Sequence, residues 1–174
     1  MKCLIVIDMQ WFFESAQESW LIGNITNKIK KYIMNREPII VVQYTDVSGM
    51  EDIGPTISEI LEAISGYQYA WVINKHNDDG AEEIDKALRS AQIDNEITEF
   101  EVCGVNLDCC VAATVGTMAE DYWGIPIKVV LDCCNSTKKK YHAVNSFNDT
   151  MARRYIINVE LVDESGIGLI GSWD

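Results

Sequence analysis

The sequence predicts an α/β fold: a three-layer α/β/α, Rossmann-like sandwich built on a mainly parallel sheet of about six strands. Two observations lead there. Short apolar runs rich in Ile and Val recur six times, and several lack polar alternation, the pattern of strands buried on both faces. Longer amphipathic segments separate most of them, and strand-helix-strand repetition requires parallel pairing with helices covering both sides. The length, 174 residues with 48% of them hydrophobic, suits one globular domain over residues 1–174. No linker, internal repeat or low-complexity tract interrupts it.

The apolar runs are "KCLIVIDM" (2–9), "PIIVVQY" (38–44), "YAWVI" (69–73), "TEFEVC" (98–103), "IPIKVVL" (125–131) and "YIINVEL" (155–161). The first helix is expected over 19–35, where Leu21, Ile22, Ile25, Ile29, Ile33 and Met34 recur at spacings of one, three and four. The second is expected over 55–65, with Pro55 in its first turn and Ile57, Ile60, Leu61 and Ile64 on one face. Residues 80–92 present Ile84, Ala87, Leu88 and Ala91, and residues 109–123 and 138–153 complete the set. "GIGLIG" (166–171) reads as a flexible tail or an interface strand.

Fourteen basic against twenty-seven acidic residues give a formal charge of −13. That surface repels phosphate backbones and anionic membranes, so neither nucleic acid nor a membrane is expected as a partner. No apolar stretch approaches the ~18 residues of a membrane helix, and no secretory signal is read, so a soluble cytoplasmic protein is expected. The six cysteines, Cys3, Cys103, Cys109, Cys110, Cys133 and Cys134, are then expected as reduced thiols.

In open α/β sheets ligands bind beyond the carboxyl ends of the strands. Asp8 follows the first run, Lys75 and His76 the third ("NKHNDDG"), Asp108, Cys109 and Cys110 the fourth ("GVNLDCC"), and "DCCNS" the fifth. An acid, a base and a thiol therefore converge on one rim. A carboxylate ending an apolar strand needs a partner, which favours a site role for Asp8 over a helix cap. Lys75 in the same setting is favoured over a solvated loop lysine. A thiol in the first turn of a helix has N–H groups and the positive dipole end to stabilise a thiolate or an oxyanion. Together with Lys75 these are expected to outweigh Asp8 and hold the thiol modestly below its ordinary pKa. Only one of two adjacent cysteines can face the site, and the other is expected to pack inside. The residues alone leave open which.

Bland readings are favoured elsewhere. Cys133 and Cys134 read as packing. The Cys-Cys pairs match no common zinc spacing, and His76 and His142 have no second ligand at helical spacing, so neither metal nor cofactor is expected. Phosphate-binding glycine motifs are absent after the first strand. "STKKKYH" (136–142) reads as a solvated helical turn.

These motifs, in this order, resemble the isochorismatase-like cysteine hydrolases, which include nicotinamidases, carbamoylsarcosine-type amidases and siderophore isochorismatases. The opening Asp-x-Gln signature is "LIVIDMQWFF", the lysine segment "WVINKHN", the nucleophile motif "GVNLDCCVAATVGTMA", and the following strand "WGIPIKVVLDCC". The resemblance implies Cys110, the cysteine before V-x-x-T, as nucleophile, with Asp8 and Lys75 completing a triad and Cys109 on a variable position. It further implies a cis peptide at Val105–Asn106, an oxyanion hole from the amides of Cys110 and of Asn106 or its neighbour, and substrate contacts from Trp11, Phe13 and Asn106. It implies hydrolysis of a small amide or related C–N bond through an acyl-enzyme, and a homo-oligomer, dimer or tetramer, with a small-molecule substrate.

The chain departs from the family in places. Leu107 replaces the usual Thr of the nucleophile loop, and Trp11 and Phe12 stand where many members have Asn-Asp. Residues 45 to 74 contain no histidine, which argues against a metal-dependent nicotinamidase. Cys110 argues against a siderophore isochorismatase, whose chemistry does not use a thiol. Two alternatives stand beside hydrolysis: a catalytically idle binding or assembly module, and a redox protein using Cys109 and Cys110, the latter opposed by the strain of a vicinal disulfide.

Overall fold

The computed structural model describes residues 1–46, 48 and 52–163. Six apolar runs form β1 (Lys2–Ile7), β2 (Ile39–Tyr44), β3 (Ala70–Lys75), β4 (Glu99–Gly104), β5 (Ile127–Cys134) and β6 (Val159–Val162). They make one sheet of order β3-β2-β1-β4-β5-β6 in which every neighbouring pair is parallel. Among the described residues five helices flank it: α1 (Ser19–Asn35), α2 (Ser58–Ile64), α3 (Ala81–Ser90), α4 (Ala112–Asp121) and α5 (Lys140–Arg153). Helix α1 packs with α2, and α4 with both α3 and α5, which gives the expected three-layer α/β/α arrangement.

Central position explains the unbroken apolar runs. Cys3 to Ile7 and Ile39 to Val42 are fully buried, because β1 and β2 are covered on both faces. The edge strands β3 and β6 are only partly covered, and Val72 on β3 remains 44% exposed. Strand β4 alternates Glu with apolar residues yet lies in the middle of the sheet. Its acids are paired: Glu99 with Lys2 and Lys128, and buried Glu101 with buried Lys28 of α1 at 2.5 Å. Truncating one member of a buried ion pair strands the other charge. Lys28→Ala is therefore expected to destabilise the fold by about 3 kcal/mol, with Lys2, 3.4 Å from Glu101, as a partial substitute. The double replacement Lys28→Met/Glu101→Leu should recover most of that loss in a denaturant titration.

Several boundaries differ from the sequence expectation. Pro55 precedes α2, which begins at Ser58, because Thr56 forms an antiparallel bridge with Gln10. The segment expected to be helical from 109 instead opens with a π-helical turn, Leu107–Val111, before α4. Strand β5 runs on through Asp132 and Cys133 to Cys134, which pairs with Gly104 after a register shift. The run 155–161 shortens to a strand over 159–162: Tyr155 turns left-handed at φ 56°, and Tyr155 and Ile157 are exposed. "GIGLIG" lies outside the described residues. Among the described residues no helix is long and apolar enough to cross a membrane.

Candidate active site

The strand order reverses between β1 and β4, and such switch points are where open α/β sheets bind ligands. The two strands approach closely here. Gly104 has φ 119°, and a Cβ on it would lie 2.0 Å from the Ile7 carbonyl oxygen, so only glycine fits. Beyond Ile7 the chain turns sharply at Asp8, a non-glycine residue at φ 52°. Gln10 then ties the rim together. It is fully buried, its Nε2 donates to the Tyr44 and Gly54 carbonyls, and its Oε1 accepts from the Tyr44 amide.

Asp8, Lys75 and Cys110 come together at this rim. Lys75, the last residue of β3, is fully buried, and its Nζ lies 2.9 Å from Asp8 Oδ2. It also donates to the carbonyls of Asn77 and Asp78, both at 3.0 Å. Burial opposes the ammonium, but the charges of Asp8 and Cys110 more than offset it and hold Lys75 above its ordinary range. Asp8 is 1% exposed, and its Oδ1 accepts no hydrogen bond. Burial raises its proton affinity above the usual carboxylate range, against the lowering effect of Lys75.

Cys110 occupies the π-helical turn and is 7% exposed. Its thiol is pushed up, not down: burial is the main cause, Asp8 adds to it, and Lys75 only partly offsets them. The expectation of a thiol below its ordinary range is therefore corrected. A group removed from water beside a carboxylate keeps its proton despite the helix end. A second carboxylate stands close by, since the thiol lies 3.7 Å from Asp78 Oδ1. Cys109 is corrected too. It is exposed rather than packed, because the turn directs Cys110 inward and its neighbour to solvent.

The loop ahead of Cys110 is held from two sides. The Val105–Asn106 peptide is cis. Ser15 Oγ donates to Asn106 Oδ1 at 2.6 Å, and Asn135 accepts the Leu107 amide while its side chain donates to the Ser15 carbonyl. The amides of Cys109 and Val111 both donate to the Asn106 carbonyl. Val105 and Leu107 are fully buried, so the Leu that replaces the family's Thr is a packing residue. Trp11 and Phe12 are half-exposed on the loop after β1, and half-buried Phe13 packs against the core and meets Phe12 edge-on.

Asp78, Ser15 and Asn135 were not singled out in the sequence. Asp78 had a visible signal, its place three residues after Lys75. Thr114, the Thr of V-x-x-T, holds that loop by accepting the Gly80 amide at 3.0 Å. His76 contacts the Thr45 carbonyl through its Nδ1 at 3.1 Å. Cys133 and Cys134 are buried, as expected of packing residues. In the basic triplet, Lys138 is not merely solvated, since it pairs with Asp108 at 2.5 Å.

Comparison with known proteins agrees with this fold. Solved structures with the same fold include an isochorismatase from Pseudomonas putida KT2440, 19% identical with a TM-score of 0.68, covering 93% of this chain and 87% of that one. A nicotinamidase from Staphylococcus aureus is 19% identical at TM-score 0.68, covering 91% and 98% of the two chains. An N-carbamoylsarcosine amidase from Thermoplasma acidophilum is 20% identical at 0.67, covering 96% and 98%. No curated protein sequence matches this chain. The isochorismatase domain family matches residues 2–155, nearly the whole described length, and the chain therefore belongs to that family.

Proposed function

We propose that the protein is a cysteine hydrolase that cleaves a small amide or related C–N bond through an acyl-enzyme on Cys110. The observation that carries this reading is the meeting of Asp8, Lys75 and Cys110 from three separate strand ends, with one Asp8 oxygen ion-paired and the other unpartnered. The resting thiol is neutral and Asp8 is ionised beside Lys75. On attack, the thiol proton passes to Asp8 and the sulfur adds to the substrate carbonyl. The carbonyl oxygen takes up the displaced electron pair facing the amides of Asn106 and Cys110. Asp8 then gives the proton to the leaving nitrogen as the C–N bond breaks, which leaves a thioester. Water adds to the thioester, giving a proton to Asp8, and the C–S bond breaks to release the acid. The proton returns from Asp8 to Cys110. Lys75 keeps Asp8 oriented and balances its charge throughout. Trp11, Phe13 and Asn106 border the substrate in this reading.

The test is a screen of small amides and ureides read by released ammonia, followed by mass analysis of quenched enzyme for a thioester on Cys110. A protein that turns over none of them and carries no unusually fast thiol is the idle binding or assembly module instead. Activity is expected to survive chelation, since the segment between residues 45 and 74 has no histidine. Loss of activity on chelation, restored by zinc or iron, would overturn the metal-free mechanism.

A further inference from the structure

Around Cys110 lies a constellation whose other two members, Cys109 and Asp78, this hydrolysis does not use. Cys109 Sγ, Cys110 Sγ and a carboxylate oxygen of Asp78 all lie within 4.8 Å of one another. Three atoms that close share a point no more than about 2.8 Å from each, against ~2.3 Å for zinc–thiolate and ~2.1 Å for zinc–carboxylate bonds. Cys110 Sγ is 3.7 Å from Asp78 Oδ1, where two ligands on tetrahedral zinc stand about 3.6 Å apart. Adjusting two exposed side chains closes the difference.

We propose that Asp78, Cys109 and Cys110 form a binding site for a thiophilic divalent cation, Zn²⁺ foremost, with water as the fourth ligand. The supporting backbone is already in place. Lys75 grips the Asn77 and Asp78 carbonyls, and the Cys109 and Val111 amides fix the turn on Asn106. Asp78 and Cys109 are exposed, so a hydrated ion reaches them and one coordination position stays open to water. Two thiolates and one carboxylate select zinc over magnesium or calcium. Behind the site Asp8 keeps one carboxylate oxygen paired with Lys75 and the other without a hydrogen bond. The two cysteines match no zinc spacing because the third ligand comes from the loop after another strand. A cation bound here occupies the electron pair with which Cys110 attacks, so metal binding and acylation exclude one another. That consequence rests on the proposed role of Cys110, whereas the site itself does not.

Cobalt(II) is the probe, added to the reduced, chelator-stripped full chain. One equivalent is expected to give thiolate-to-cobalt charge-transfer absorption and the strong visible bands of a four-coordinate ion, both bleached by Zn²⁺. Cys109→Ala, Asp78→Asn and Cys110→Ser should each weaken binding by roughly tenfold or more, and either cysteine variant should diminish the charge-transfer band. Zn²⁺ should also slow alkylation of Cys110 in the intact protein. Circular dichroism checks that each variant is folded. No saturable band, or an affinity that any one of the three replacements leaves unchanged, overturns the site. The spectrum needs no substrate, so failure to find amide hydrolysis leaves this test standing, and hydrolysis seen only in the zinc-loaded protein overturns the exclusion.

Discussion

Cys110→Ala is expected to lower turnover by about 10⁴-fold or more, while Cys109→Ala, assayed with chelator present, stays within a few-fold of wild type. The covalent route needs a sulfur able to pass its proton to Asp8, and the thiol that couples to both Asp8 and Lys75 is Cys110. Cys109 faces solvent, so its loss should change stability by less than about 0.5 kcal/mol. Cys110→Ala should fold as well, since it removes only one small side chain. Mass analysis after quenching with substrate separates the two residues. A thioester that persists in Cys110→Ala and disappears in Cys109→Ala would place the nucleophile one residue earlier. Alkylation rate against pH gives a second reading. Because burial and Asp8 hold the thiol up, the rate should still climb past the free-cysteine value of ~8.5. A plateau reached near or below that value would contradict the environment described for Cys110.

The fold was legible because its information is local. A strand covered on both faces must be apolar at successive positions, and a helix lying on the sheet must repeat its apolar residues at three and four, so β1, β2 and α1 stand where the pattern puts them. What the pattern missed depends on partners distant in sequence. Glu101 sits in a central strand because Lys28 of α1 reaches it, and the start of α2 is set by a bridge to Gln10. The site followed the same division. Asp8, Lys75 and the cysteine pair were visible as polar residues ending apolar runs. The choice of Cys110 came from the family motif, since helical spacing says only that neighbours diverge. Which neighbour diverges inward is fixed by a π-helical turn that no local pattern announced, and Cys109 was misplaced for that reason. The thiol's upward shift was missed because it depends on burial depth and on Asp8 lying close by, neither of which has a sequence signature.

Lys75→Met is expected to remove stability together with activity, and the pH dependence of the loss identifies its cause. Lys75 is fully buried and Asp8 is 1% exposed, so the variant leaves a carboxylate in the interior without its counter-ion, at a penalty of about 3–5 kcal/mol near neutral pH. Burial already raises the Asp8 pKa in the intact protein, with Lys75 opposing, and without the lysine the rise is larger. An acid whose folded pKa exceeds its unfolded value of ~3.9 binds its proton more tightly in the native state. Its contribution favours the fold below the unfolded value and is lost as pH rises through the folded one. The stability gap between wild type and Lys75→Met should therefore be widest in mild alkali and should narrow as pH falls through the raised pKa of the stranded carboxylate, which then takes up a proton. Adding Asp8→Asn to Lys75→Met removes the charge altogether, so the double variant should be more stable at neutral pH than Lys75→Met alone, although equally inactive. Urea unfolding of the three proteins at several pH values measures this directly. A gap that stays constant with pH and is not relieved by Asp8→Asn would mean that Lys75 stabilises the fold through its packing and its bonds to the Asn77 and Asp78 carbonyls, with the ion pair contributing nothing.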